Sequence, residues 1–468
     1  MVASGHAATS AAAATVLRAG GNAFDAAVAA GFAAAVAEPC LTSPGGGGFL
    51  LARTSAGEEV LVDCFVAAPG LGLPGPADPA DLVRVPVHFG HAVQDFHVGP
   101  AAVATPGLLA GSLHVHERLG RLGLDRIVAP AVALARNGVV VDPFGARLLE
   151  LLEPIVGRTT TGRSLFFRDE RVLQVGDRFT NEPLASFLED VGAGRIHGFR
   201  SGDLGGAVTD HDLAAYRVVE REPSRVRYRG AEVLTNPAPS FGGRLVTHAL
   251  GLLADGPPVG RADDPQEMTR VAEALVALAG HRATLGPGSS RGTTHLSVAD
   301  VEGNVAAMTS SNGSGSGWFA GDTGVQLNNV MGEEDLHPDG FGSARPGARI
   351  GSMMAPSIVE FPDGRIAAFG SGGSERIRSA LTQVVLGVVD RRWPLRGAVD
   401  APRMHWDGTR LQVEPGLSPS VLDALAGRWP VNEWPVRDLY FGGAHGVELP
   451  GEAVGDPRRG GVGLVVTG

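Results

Sequence analysis

Two hydroxyl nucleophiles stand almost side by side in GPGSSRGTTHLSV, residues 286–298. Gly288-Ser289-Ser290-Arg291-Gly292 matches the G-x-S-x-G pattern of serine hydrolases, with Ser290 in the nucleophile position. A nucleophile elbow follows a strand and opens a helix. Ser290 has the reverse context, following the helical pattern QEMTRVAEALVALAGHR and preceding a strand, so it reads as a loop serine. Gly292-Thr293-Thr294 offers different chemistry at the head of an apolar, β-branched run. Were the chain broken there, Thr293 would carry both a hydroxyl nucleophile and its own α-amine as the base. A free α-amine titrates near ~7.7–8.0, so a useful fraction is unprotonated at neutral pH. Gly292, lacking a Cβ, would tolerate the strained backbone that self-cleavage requires. Gly-Thr-Thr is also an ordinary way to begin a strand, and the local pattern leaves both readings open.

Composition narrows the chemistry. The 468 residues carry a formal charge of −11, which argues against nucleic-acid or anionic-membrane partners. All 39 basic residues are arginine, so a P-loop lysine, a Schiff-base lysine and a Ser-Lys dyad are ruled out. Two cysteines, Cys40 and Cys64, supply neither a disulfide framework nor a four-ligand zinc site. The alanine-rich N-terminal stretch lacks a basic leader region and is interrupted by Arg18, Asn22 and Asp25. It reads as two helices broken at Gly20-Gly21 in a soluble, cytoplasmic protein.

The elements that must hold Thr293 follow from periodicity. Helical spacing marks 5–37, 107–119, 126–137, 145–152 and 264–281. Strand-like runs occur at FLLARTS, EEVLVDCF, AEVLTN, THLSVAD, NVAAMTSS, APSIVEF and RIAAFGS. Asp300-Val301-Glu302-Gly303 is a turn, which makes 294–311 a hairpin. Strands in hairpins with helices elsewhere predict antiparallel sheets between helical layers. The Gly45–Gly48 run has no following lysine or helix, so it reads as a close backbone approach near the site. His114 and His116 do not share a helix face and make poor metal ligands. His295 points away from Thr294 on a strand and reads as structural. Trp318 and Phe319 fit either a pocket wall or the core.

Ordered motifs along nearly the whole chain resemble the γ-glutamyltransferase family of N-terminal-nucleophile hydrolases. They include EPCLTSPGGGGFLL (38–51), ATPGLLAGSLHVHERLG (104–120), DLAAYRVVEREP (212–223), TTHLSVADVEGN (293–304), APRMHW (401–406) and YFGGAHGV (440–447). The resemblance implies an α+β fold, a four-layer αββα sandwich. It implies a precursor that cuts itself between Gly292 and Thr293 into segments 1–292 and 293–468, which stay associated in one intertwined fold. A further homodimer is compatible with it. The expected partner is a small-molecule substrate, with no cofactor and no metal.

The same resemblance assigns Thr293 as nucleophile, Ser311 as an assisting hydroxyl, and Gly372 and Gly373 as the oxyanion hole. The glycine register is open by one residue, toward Ser374. Asn312 and Glu333 fall where a substrate ammonium is held, and Ser352 where a carboxylate is held. The sequence departs from the family at Phe65, where an arginine pairs with the glutamyl carboxylate, and at Met353, where a second serine is usual. Phenylalanine cannot imitate a bidentate arginine. The expectation is a hydrolase or acyltransferase acting on a γ-glutamyl or related acyl compound through an acyl-enzyme. A non-glutamyl amide or carbon–carbon substrate is one alternative, and a non-processing binding protein on the same fold is another.

Overall fold

The computed structural model describes residues 1–75, 81–89, 92–284, 292–337 and 340–467, and within them two antiparallel sheets face each other. The first has seven strands, in the order Val219–Arg221, Glu59–Cys64, Gly47–Arg53, Val305–Ser311, Thr294–Ala299, Val2–Ser4 and Val462–Leu464. The second has six: Ser224–Tyr228, Ala231–Thr235, Ser357–Glu360, Ile366–Gly372, Gly443–Leu449 and Glu452–Val454. Each sheet takes strands from both sides of the Gly292–Thr293 bond.

Three apolar clusters define the layers. Between the sheets lie Phe49, Leu51, Leu61, Leu234, Ala307, Ile358, Ala368 and Val447. Residues of alternate parity on the same strands, such as Leu50, Val62, Leu296 and Met308, face helices outside the first sheet. Val233, Val359, Ala367 and Phe369 face helices outside the second. This is the period-two alternation of a strand buried on both faces, and it produces the αββα sandwich.

Helix Ala23–Ala37 shows why the alanine-rich opening folds inward. Asn22 caps it and Asp25 reciprocates in a capping box, and all of its residues except Ala37 are buried. Small side chains let it lie close against the first sheet, where a Cβ at Gly31 would sit 3.2 Å from Met308 Cε. The break at Gly20-Gly21 is real, separating Ala7–Arg18 from Ala23–Ala37. The expected helices at 107–119, 126–137, 145–152 and 264–281 appear as Leu108–Leu119, Leu124–Asn137, Pro143–Val156 and Pro265–Thr284. Among the described helices, none is long and apolar enough to cross a membrane.

Candidate active site

The hairpin puts the two hydroxyl residues opposite each other. Thr294 pairs with Ser310 and His295 with Thr309, and Ser311 pairs in turn with Gly47 of the next strand. Thr293 precedes the first strand and Ser311 ends the second, and both are fully buried. The Ser311 hydroxyl donates to the Gly292 carbonyl oxygen, the acyl oxygen of the Gly292–Thr293 peptide. The same Oγ accepts the Gly313 N–H at 2.9 Å. Ser311 is therefore aimed at the bond whose cleavage would free the Thr293 amine.

The need for glycine at 292 has a different cause from the expected one. Its backbone is not in the left-handed region that L side chains avoid. Room is the constraint: a Cβ there would lie 1.9 Å from the Gly313 carbonyl oxygen and 3.0 Å from that of Cys40. The Gly45–Gly48 run is a close approach, since a Cβ at Gly46 would lie 2.3 Å from Ser311 O.

From the second sheet, strand Ile366–Gly372 ends beside the same residue. A Cβ at Gly372 would lie 2.2 Å from the Thr293 carbonyl oxygen. Gly373 follows with φ 118°, a conformation glycine adopts without penalty, and Ser374 takes a left-handed φ of 58°. Helix Arg376–Val389 begins directly after this turn. Past Ser311, the left-handed Gly313 lies where a Cβ would meet Asn329 Oδ1 at 2.0 Å and Glu333 Oε1 at 2.4 Å. Asn312 donates from Nδ2 to Gln326 Oε1 at 3.0 Å, and Asn329 Oδ1 accepts the Ser314 N–H at 2.8 Å. The structure thus brings together Gly292, Thr293, Ser311, Asn312, Glu333, Gly372 and Gly373.

Two groups on this site were not singled out in the sequence. Glu38 accepts the Thr294 hydroxyl at 2.6 Å and the Thr9 hydroxyl at 3.0 Å. Burial pushes its carboxyl up to about 7, against these two hydrogen bonds. Arg459 donates from Nη1 to the Thr293 carbonyl oxygen at 3.3 Å. The available signals were a Glu-Pro step closing a helix and the Asp-Pro-Arg-Arg-Gly-Gly run near the C-terminus. His295 behaves as expected, with its buried ring between Thr309 Oγ1 at 2.7 Å and Ser297 Oγ at 2.8 Å. Burial holds it well below the usual imidazole range.

Comparison with known proteins agrees with this geometry. The chain matches the family described as gamma-glutamyltranspeptidase over residues 9–288 and 284–466. It belongs to the gamma-glutamyltranspeptidase family. It is 33% identical to the acylase ACY 1 proenzyme of a Pseudomonas strain, across 92% of this chain and 86% of that one. It is 29% identical to the glutathione hydrolase proenzyme of Escherichia coli, across 88% and 82%. The crystal structure of a cephalosporin acylase from Bacillus halodurans superposes with a TM-score of 0.83 at 23% identity, over 100% of this chain and 96% of that one. The αββα fold is thereby that of the N-terminal-nucleophile hydrolases, and the protein is an enzyme of the hydrolase and transferase kind.

Within this gamma-glutamyltranspeptidase-family protein, two apolar departures belong to the core. Phe65 is fully buried between the sheets, stacked on Phe49 at 5.7 Å between centroids. Met353 packs in the cluster outside the second sheet. Both side chains are turned into packed layers. Ser352 Oγ accepts the Met354 N–H at 3.1 Å, while its carbonyl takes Phe241 N–H at 2.7 Å and Ser240 Oγ at 2.8 Å. Phe319 is core, with Trp318 packed against it. His114 pairs with Glu220 at 2.8 Å and His116 with the Leu122 carbonyl at 2.8 Å. Cys40 and Cys64 are free and buried, and burial pushes both thiols up to about 12. Ser290 lies outside the described residues.

Proposed function

We propose that this protein is a self-processing N-terminal-threonine hydrolase or acyltransferase, with Thr293 as nucleophile. The observation that carries the reading is the Ser311 hydroxyl bonded to the Gly292 carbonyl oxygen. In the precursor, Thr293 Oγ attacks the Gly292 carbonyl carbon and the amide nitrogen departs as the Thr293 amine. Water then hydrolyses the resulting ester, giving a Gly292 carboxylate and a free N-terminal threonine. Ser311 holds the oxygen on which negative charge develops. In turnover, the amine takes the proton from Thr293 Oγ as it attacks a substrate acyl carbon, then passes that proton to the leaving amine. The acyl ester is resolved by water or by an acceptor amine. Gly372 and Gly373 border the reacting residue and supply the backbone donors of the oxyanion hole.

The substrate class we propose is an acyl amide whose acyl group lacks the glutamyl amino-acid end. Phe65 stands where a carboxylate-binding arginine is expected, and its side chain is committed to the core. The neighbouring cation does not replace it. Arg349 is held by the carbonyls of Phe65 and Arg217, the latter at 2.6 Å, and by Asp63 at 3.4 Å. The likeness to a protein named as an acylase supports the same reading. Asn312 and Glu333 remain near Thr293 to take a polar substrate group.

Intact mass of the purified protein beside a Thr293→Ala variant tests the nucleophile. Two fragments meeting at Gly292/Thr293 in the wild type, with the variant whole, is the expected result. A wild-type chain that stays whole on long incubation overturns it. A panel of aliphatic and aromatic acyl amides beside γ-glutamyl amides tests the substrate class, which fails if the glutamyl amides are the better substrates.

A further inference from the structure

We propose that Arg459 is a positioning and electrostatic residue for the Thr293 amine, its fixed positive charge keeping that amine unprotonated at neutral pH. The proposal rests on the reading of Thr293 as nucleophile.

Four observations carry it. Arg459 is 6% exposed, and its Nη1 bonds the carbonyl oxygen of Thr293 itself at 3.3 Å. Its guanidinium also lies against both glycines of the site, 2.9 Å from a Cβ at Gly372 and 3.1 Å from one at Gly373. Among the described residues no carboxylate stands within salt-bridge distance of it, unlike its neighbours Arg403 and Arg458. Among the described residues its Nε has no hydrogen-bond partner, and Nη2 reaches the Leu439 carbonyl at 3.3 Å. A buried guanidinium is ordinarily paired, whereas this one faces the reacting residue.

Glu333, beside Gly313, is the carboxylate that opposes the cation, and the other surrounding charges are taken up by their own partners. Asp456 is taken by Arg403 at 2.6 Å and Arg458 at 3.2 Å, and Asp438 caps its own turn through the Tyr440 N–H at 2.8 Å. Glu38 is pushed up to about 7 by burial and is occupied by Thr294 and Thr9. His295 and His445 are buried and held neutral through neutral pH. Arg376 adds a second positive charge. Burial lowers Arg459 itself, with Arg376 next, to about 10, so it stays charged at neutral pH.

Backbone geometry sets the distance to the amine. The nitrogen and carbonyl oxygen of one residue are separated by at most ~4 Å, so the Thr293 nitrogen lies within about 7 Å of Nη1. A like charge at that range disfavours the ammonium form. With an effective dielectric of about 20, the depression is on the order of one to two pH units. The amine then accepts the Thr293 hydroxyl proton at pH 7 without first losing one of its own.

The test compares wild type, Arg459→Met and Arg459→Lys by the pH dependence of kcat/KM on an acyl amide. The pH dependence of Thr293 α-amine acetylation, read by mass spectrometry, gives a second measure independent of turnover. Arg459→Met is expected to move the acidic limb and the acetylation midpoint upward by about one pH unit, a tenfold effect, and Arg459→Lys to restore both. A purely structural role would lower the plateau and leave the midpoints alone. Unmoved midpoints in Arg459→Met overturn the proposal. If Arg459→Met does not cut itself, co-expression of segment 1–292 with a separate segment 293–468, whose initiator methionine is removed before threonine, supplies the amine and the same comparison applies. Failure of the underlying reading has a separate signature: Thr293→Ala would be cut and active whatever stands at 459.

Discussion

The carboxyl of Glu38 holds Thr294 and the hydroxyl of Ser311 bonds the Gly292 carbonyl oxygen, so the two act on the residues either side of Thr293. Ser311 stabilises charge developing on an oxygen, and losing one such donor costs about 10²–10³ in rate. Ser311→Ala is accordingly expected to slow conversion of precursor to fragments by that factor, followed on denaturing gels against time. Glu38 instead has its carboxyl pushed up to about 7 by burial. Its folded value near 7 exceeds the ordinary 4.5, so the stability it contributes is fully present below about 4.5 and is lost as pH rises through 7. For this fully buried group the linkage amounts to about 3 kcal/mol between those limits. In a Thr293→Ala background, which keeps the chain whole, Glu38→Gln should flatten the fall in urea midpoint between pH 5 and pH 8. An unchanged slope would show that the pH dependence arises elsewhere. Legibility at this scale was uneven. Opposite orientations of Thr294 and His295 follow from strand period alone and were read correctly. Arg459 was not, because it reaches Thr293 across 166 residues. No local pattern encodes that distance.

At the level of elements, the site depends on how closely backbones can approach. The hairpin 294–311 and its turn were plain in the sequence, as were the strands containing FLLARTS and RIAAFGS, since each alternates or carries β-branched residues. Strand Gly443–Leu449 was not read as one, because GAHGVEL has two glycines and little alternation. Its place comes from pairing with Ile366–Gly372 in the second sheet. The glycine at 46 marks where Gly47–Arg53 meets the end of Val305–Ser311. An alanine there would push its Cβ to 2.3 Å from Ser311 O, a backbone atom with nowhere to go. Overpacking of this kind costs about 1–3 kcal/mol. Gly46→Ala is therefore expected to lower the thermal midpoint and to slow self-cleavage together, since the atom displaced belongs to Ser311. Normal cleavage with a lowered midpoint would separate Ser311 from the chemistry.

For the whole molecule, the decisive feature is that no boundary between sheets or layers coincides with residue 293. Strand Val2–Ser4 lies between Thr294–Ala299 on one side and Val462–Leu464 on the other. Gly47–Arg53 pairs with Val305–Ser311, and Ala231–Thr235 with Ser357–Glu360. Pulling segment 1–292 from segment 293–468 would open backbone ladders in both sheets and expose the core between them, which is unfolding under another name. The cut falls just before the strand Thr294–Ala299 and so breaks no ladder pair. Cleaved protein is thus expected to run as two fragments on a denaturing gel yet as one particle near 48.1 kDa in native mass spectrometry, or a multiple of it. It should also lose both fragments' circular-dichroism signals in a single thermal transition. Fragments that separate in native buffer, or that melt in two steps, would contradict the ladders shared across residue 293. The free amine would then have to be held by segment 293–468 alone, without Glu38 and Thr9 behind Thr294.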